Sequence, residues 1–244
     1  MADPRLAIIG GTGALDLFEV LDQRTLMTEF GPPSAPLSRV MLGNQPAWFL
    51  PRHGQPHSIP PHRVNYQANI QALHDLGARQ VVAINAVGGI DPALAPGALV
   101  VPDQLIDYTW GRCHTFSDDA ESALEHVEFG QPFSANARAA IVDAAARCAV
   151  PIVDHGCYAV TQGPRLETEA EIRRLAADGC SLVGMTAMPE AALARERTID
   201  YGMLCVVANP AAGVSAEPIS IEEIHAVLER AMSKVVQILL ALEA

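Results

Sequence analysis

The chain has 244 residues, of which 50% are hydrophobic and only 18% charged, so it is long enough and apolar enough for a large core. Its formal net charge of −12 argues against a nucleic-acid partner, because such a polymer requires a basic face. The five cysteines show neither a Cys-x-x-Cys pair nor a metal-ligand spacing, which favours reduced thiols in a cytoplasmic protein. We find no signal peptide and no apolar run of the roughly 18–20 residues that a membrane span needs, so we expect no membrane partner.

Apolar runs that stop at glycine alternate with amphipathic segments along the chain. Strands are predicted over residues 6–9, 40–50 (a hairpin turning at 43–44), 80–87, 98–101, 158–161, 181–185 and 203–208. Helices are predicted over residues 65–76, 134–148, 168–179, about 189–198 and from 220 onward, while 106–133 is predicted to be an irregular loop or lid. The alternation predicts one α/β domain spanning residues 1–244.

The predicted helix starts carry residues that favour the first turn of a helix. Ser134 suits an N-cap position, and Pro189 suits a first helical turn. Thr168-x-x-Glu171 and Ser220-x-x-Glu223 have the spacing of a capping box.

Small or polar residues follow four of the predicted strands, at 10–13, 85–89, 184–186 and 207–209. In open α/β folds the C-terminal ends of strands converge on the ligand site. The first of these segments, Gly-Gly-Thr-Gly, is a poor dinucleotide fingerprint because Asp16 stands where a third glycine is needed. Alone it favours a tight turn, although its backbone N–H groups and the Thr12 hydroxyl would suit an anion.

Residues 52–70 form a locally basic run in an acidic chain. The first twelve positions hold two Arg and three His, and the whole run contains no Asp or Glu. Arg52 offers a planar fork of donors that suits phosphate, and His53 stands next to it. Taken singly, each residue is more typical of a surface ion pair or a loop histidine. Their joint position near a strand end favours an anion site.

Taken in order, these segments resemble the trimeric purine nucleoside phosphorylase and methylthioadenosine phosphorylase family. The matching segments are Gly-Gly-Thr-Gly at 10–13, Arg-His-Gly at 52–54, Val-Asn-Tyr-Gln-Ala-Asn-Ile at 64–70, Asn-Ala-Val-Gly-Gly at 85–89, Gly-Pro-Arg-Leu-Glu-Thr at 163–168 and Gly-Met-Thr-Ala-Met-Pro-Glu at 184–190. The resemblance implies a central mixed, twisted β-sheet flanked by helices. It also implies cleavage of purine nucleosides by inorganic phosphate, without metal or organic cofactor, in a homotrimer with active sites near the subunit interfaces.

The resemblance also assigns site residues by position. The implied phosphate site consists of Thr12, Arg52, His53, Ala86 and Thr186. Met185 would lie against the ribose, and Leu166, Glu167 and Asn209 would hold the base, with Asn209, Glu167 and His53 as the catalytic set. Leu166 departs from the phenylalanine usual in the family, so the base would lose a stacking ring. Without the resemblance, Glu167 is equally typical of an ordinary turn before a helix.

Asn209 divides the family by base, because members that act on adenine nucleosides carry Asp at this position. An amide donates to O6 and accepts from a protonated N7, and Glu167 accepts from the N1 proton that a 6-oxopurine has and adenine lacks. Because unpaired buried polar groups cost about 1–3 kcal/mol each, such a site rejects the wrong base. Hypoxanthine or guanine is therefore predicted, although Asn209 is also typical of a turn before Pro210.

The 5′ end of the sugar is assigned less directly. Ile221 stands where inosine and guanosine phosphorylases carry a histidine and methylthio enzymes a valine, and Ile224 lies one turn on. His126 resembles a loop residue that reaches the neighbouring subunit's 5′ pocket, and His57 lies near this end by position. An apolar 5′ site beside a 6-oxopurine site predicts 5′-methylthioinosine, although both isoleucines also fit the core face of an amphipathic helix.

Three alternatives remain open. An inosine or guanosine phosphorylase fits Asn209 and Glu167 but not Ile221, and a methylthioadenosine phosphorylase fits Ile221 but not Asn209. A non-catalytic nucleoside sensor is disfavoured, because the charged and polar residues of the implied site are all present.

Overall fold

The computed structural model describes residues 3–11, 15, 17–118, 124, 126–216 and 220–242. In this part of the chain ten strands form one mixed β-sheet with helices packed on it, which confirms the predicted α/β fold class. The strands are β1 (Leu6–Gly10), β2 (Val20–Arg24), β3 (Leu37–Leu42), β4 (Gln45–Pro51), β5 (Gln80–Gly89), β6 (Leu99–Val100), β7 (Gln104–Asp107), β8 (Cys157–Val160), β9 (Leu182–Gly184) and β10 (Asp200–Pro210). Their order is β2-β3-β4-β1-β5-β9-β8-β7, and β10 pairs with β5 and β6.

Parallel strands built from apolar runs form the centre of the sheet. β1 lies between β4 and β5, and β10 runs parallel to β5 from Asp200 beside Gln80 to Pro210 beside Gly89. Continuous apolar runs are typical of strands buried on both faces, and all five residues of β1 are buried. Because these four strands are parallel, their C-terminal ends lie along one edge of the sheet.

Five helices lie in the described residues: α1 (Tyr66–Asp75), α2 (Ala135–Arg147), α3 (Glu169–Ala177), α4 (Ala187–Glu196) and α5 (Ile221–Leu240). The N-cap side chains of α1, α2, α3 and α5 each accept a hydrogen bond from the backbone amide three residues on, a contact worth about 1 kcal/mol. At α3 the Glu171 carboxylate accepts a hydrogen bond from the backbone amide of Thr168, which completes the predicted capping box. None of these helices is both long and apolar enough to cross a bilayer.

The sheet separates two hydrophobic layers. Alternate residues of a strand point to opposite faces, so Ile9 packs in one layer with Ile70 of α1, and Ile8 packs in the other with Val235 of α5. Helix α4 shares the layer of α1, and helix α2 shares the layer of α5. Buried side chains on both faces therefore hold the strand ends in fixed relative positions.

Some elements differ from the sequence-based expectations. The apolar pattern does not predict β2 or β7, which stand at the two ends of the strand order and contain no buried residue. Met188 has extended backbone angles (φ −116°, ψ 138°), the conformation that a residue before proline favours. The regular turns of α4 therefore follow from Pro189, as predicted.

Candidate active site

A cavity of about 910 Å³ opens at the C-terminal ends of β1, β4, β5, β9 and β10 and is closed on one side by α5. It is lined by ten of the residues that the sequence assigns to the site: Arg52, His53, His57, Ala86, Leu166, Glu167, Met185, Thr186, Asn209 and Ile224. These residues come from six separate stretches of the chain. The fold therefore brings together side chains that are distant in sequence.

One end of the cavity is built on a buried ion pair. Arg52, only 2% exposed, donates from Nε to Glu190 Oε2 at 2.7 Å and from Nη2 to Glu190 Oε1 at 2.8 Å. Glu190 is fully buried, and the Tyr201 hydroxyl donates to its Oε1 at 2.7 Å. Burial alone would lower the pKa of Arg52, but the Glu190 carboxylate more than offsets this and raises it. Arg52 is therefore a paired cation and not a free charge.

The sequence-based assignment did not identify Glu190. Glu190 lies 138 positions from Arg52 in the sequence but bonds to it in the fold. The basic run at 52–70 therefore contains no acid of its own but has one beside it in space. The sequence does contain a feature that could have identified Glu190. In the Gly184–Glu190 segment this acid follows a proline at the start of a predicted helix.

His53 has a defined tautomer in this cavity. Its Nδ1 lies 2.8 Å from the carbonyl oxygen of Ile59, and a carbonyl only accepts, so Nδ1 carries the proton and Nε2 is left as an acceptor. Burial and then the charge of Arg52 lower the pKa of His53 to about 4, although the bond to Ile59 opposes this. The ring stacks on His57 at a centroid distance of 4.5 Å. At neutral pH His53 therefore presents a lone pair.

Asn85 connects the ion pair to Thr186. Its Oδ1 lies 3.5 Å from Nη2 of Arg52, and its Nδ2 donates to the Thr186 hydroxyl oxygen, whose own proton stays available as a donor. Thr186 directly precedes α4 and stands two residues before the extended residue Met188. Ala86 is exposed within the otherwise buried strand β5 and lines the cavity. This end combines directed N–H and O–H donors with one acceptor.

The opposite wall carries polar groups of another kind. Glu167 accepts a hydrogen bond at Oε1 from the Thr161 hydroxyl at 2.6 Å, which leaves Oε2 for a ligand. Asn209 donates from Nδ2 to the carbonyl of Pro210 at 2.7 Å, so one N–H and Oδ1 remain. Leu166 lines the same region and is 42% exposed. The sequence did not single out Thr161, which orients Glu167.

The third wall is mainly apolar. It is formed by Leu17, Ile224, Leu228 and Met232, together with the polar residues His225 and Glu229. Sequence reasoning named only Ile224 of this set. The α5 residues recur at helical spacing, a pattern that could have identified the whole face.

Two of the assigned residues are described but do not line the cavity, and a third is not described. Ile221, at the first turn of α5, is 58% exposed, so it is not the buried core residue that one reading of the amphipathic pattern expected. His126 is exposed and does not line the cavity; its predicted role was in a neighbouring subunit. Thr12 lies outside the described residues. Also among the described residues, no cluster of His, Cys, Asp and Glu is arranged to hold a metal ion.

The whole chain matches one family. The sequence model of the phosphorylase superfamily matches residues 5–243. The chain therefore belongs to the phosphorylase superfamily, as the resemblance of its segments predicts.

Several known proteins are similar to this chain over most of their length. The chain is 50% identical over 231 residues to a probable S-methyl-5′-thioinosine phosphorylase of Xanthomonas campestris, covering 93% of this chain and 92% of the relative. It is 40% identical over 244 residues to the 6-oxopurine nucleoside phosphorylase of Pyrococcus furiosus, covering 98% and 91%. Among solved structures, the methylthioadenosine phosphorylase from Schistosoma mansoni in complex with adenine superposes with a TM-score of 0.91 at 32% identity, covering 97% and 90%.

Removal of the Glu190 carboxylate tests the buried pair. Glu190→Ala leaves the Arg52 guanidinium buried without its partner, so we expect the free energy of unfolding to fall by about 3–5 kcal/mol in a denaturant titration. Glu196→Ala is the matched control, because Glu196 lies on the same helix but accepts from the backbone amide of Phe116. An equal loss in both variants would contradict the central place of the Arg52–Glu190 pair.

Proposed function

We propose that the chain cleaves 5′-methylthioinosine with inorganic phosphate and releases hypoxanthine and 5-methylthioribose 1-phosphate. The observation that carries this proposal is the composition of one cavity: an amide and a carboxylate at the base wall, anion donors at the opposite end and an apolar wall on α5. Membership of the phosphorylase superfamily and the relatives named for methylthioinosine support the same reaction.

Phosphate would occupy the end that contains Arg52, His53, Ala86 and Thr186. The Thr186 hydroxyl and the remaining guanidinium N–H would donate to its oxygens. The lone pair on His53 Nε2 would accept a hydrogen bond from the hydroxyl group that monohydrogen phosphate carries near neutral pH. Because Glu190 already neutralises Arg52, directed hydrogen bonds would hold the anion more than net charge would.

The reaction separates charge between the two ends of the cavity. As phosphate attacks C1′, positive charge develops on the sugar and negative charge on the purine. Glu167 Oε2 would accept a hydrogen bond from N1–H of the 6-oxopurine, and the free groups of Asn209 would pair with O6 and N7. These groups stabilise the departing base, as preorganised donors and acceptors do at other sites of developing charge.

The apolar wall supports the methylthio substituent. Leu228, Met232 and Ile224 offer van der Waals contact to a thioether but no hydrogen bond to a hydroxyl. His57, beside His53, would lie towards the sugar. We infer that the chain works as a homotrimer, in which the exposed Ile221 and His126 would complete the 5′ site at a subunit interface.

A second candidate is phosphorolysis of inosine. His225 lines the α5 wall and is a hydrogen-bonding group suited to a 5′-hydroxyl, and the Pyrococcus furiosus relative is named for 6-oxopurine nucleosides.

A substrate panel separates these readings. We expect kcat/KM with phosphate to be highest for 5′-methylthioinosine, lower for inosine and lowest for 5′-methylthioadenosine. A higher value for inosine would overturn the apolar 5′ site, and a higher value for methylthioadenosine would overturn the Asn209 assignment. Absence of base release from any substrate would indicate a nucleoside sensor.

The variant Asn209→Asp tests the base wall with the same panel. A protonated Asp donates to N7 and its other oxygen accepts from the 6-amino group, so we expect the ratio of kcat/KM for methylthioadenosine to that for methylthioinosine to rise at least about tenfold, or ~1.4 kcal/mol. Asn44→Asp, the same substitution at the exposed β3–β4 turn, should leave the ratio unchanged. If the ratio also stays constant in Asn209→Asp, base choice lies elsewhere.

A further inference from the structure

Arg112 lies in the irregular segment after β7, and its guanidinium donates hydrogen bonds to backbone carbonyl oxygens. Nη1 donates to the carbonyl oxygens of Met185 at 2.9 Å and Met188 at 2.6 Å. Nη2 donates to those of Gln162 at 2.9 Å and Thr161 at 3.3 Å. One side chain thus bridges two separate segments of backbone.

These two segments carry opposite ends of the cavity. Thr161 and Gln162 follow β8, and the Thr161 hydroxyl orients Glu167 at the base wall. Met185 and Met188 flank Thr186, which lies at the phosphate end. The distance between the base acceptor and the anion donors therefore depends on a contact that lies behind the cavity wall.

The geometry requires arginine in particular. A guanidinium has five N–H donors in a rigid plane, and two separate nitrogens each serve one segment here. The group also packs over the ring of Tyr66 at 5.6 Å, and burial lowers the pKa of Arg112. A lysine ammonium is a single point of charge and cannot hold both segments with the same geometry.

We propose that Arg112 is a positioning residue for phosphorolysis, which fixes the spacing between the segment after β8 that orients Glu167 and the segment after β9 that carries Thr186. The proposal rests on the function proposed above for the reaction type, but not on the identity of the nucleoside. Misplacement of reacting groups by 1 Å costs about 10²-fold in rate, so a contact of this kind is important without touching substrate.

Arg112→Ala tests the proposal, with the nucleoside that the wild-type chain cleaves fastest as substrate. We expect kcat/KM to fall about 10²-fold, with KM raised for both nucleoside and phosphate. Guanidinium chloride at millimolar concentration should restore at least part of kcat/KM by occupying the vacated space, whereas methylammonium chloride should not. The choice of substrate keeps this test valid if methylthioinosine is the wrong nucleoside.

Arg197→Ala is the matched control. Arg197 also packs on an aromatic ring, that of Phe116 at 3.8 Å, and donates to Gln71 at 2.7 Å, and neither partner lines the cavity. Its kcat/KM should stay close to the wild-type value. If Arg112→Ala retains the wild-type kcat/KM, or loses activity only in proportion to folded protein and without rescue by guanidinium, the proposal is wrong.

Arg112→Lys covers the case in which the alanine variant does not fold. It keeps the charge and most of the volume, so we expect a wild-type thermal midpoint and kcat/KM lowered about tenfold, since one ammonium cannot serve both segments. Unchanged kcat/KM in a folded Arg112→Lys protein would overturn the role assigned to the planar fork.

Discussion

The bidentate pair between Arg52 and Glu190 determines the rest of the site. It joins the end of β4 to α4, and through the Tyr201 hydroxyl it also includes β10. Both charges are buried, so each is tolerated only because the other is present. The pair holds Arg52 in one orientation at the cavity wall, where Asn85 and Thr186 extend the network.

A neutralised guanidinium suits a site that must bind an anion and then let it react. In a chain with a net charge of −12, the proposed phosphate site would rely on a few aligned donors and not on a basic surface. The neutral His53 adds an acceptor to that set, so the site would recognise a phosphate that still carries a proton. At the far wall, Glu167 and Asn209 would supply the complementary groups for a purine that becomes negative as it leaves.

Much of the fold follows from local signals. The apolar runs of β1 and β5, the capping box at Thr168 and the proline at 189 each specify an element without help from distant residues. The edge strands β2 and β7 were not predicted, because strands without buried residues have no continuous apolar run and form by pairing with a neighbour.

The sequence predicted those site residues that stand beside the ends of strands. The partners that orient them were not predicted, because Glu190, Thr161 and Arg112 act through contacts between segments far apart in sequence. The roles of the residues that face the substrate stay predictions that follow from family resemblance and from their place in the cavity. Ile221 is an example: the family resemblance places it at the 5′ end of the sugar, whereas its side chain is exposed in the described chain.

Isotopic labelling tests the central claim, that the cavity directs phosphate and not water to C1′. The wild-type chain is incubated with 5′-methylthioinosine and [¹⁸O₄]phosphate, and the number of ¹⁸O atoms in the sugar product is determined by mass spectrometry. We expect a methylthioribose phosphate that carries all of the label, including the bridging oxygen, in amounts equal to the released hypoxanthine. Release of hypoxanthine with unphosphorylated methylthioribose would contradict it.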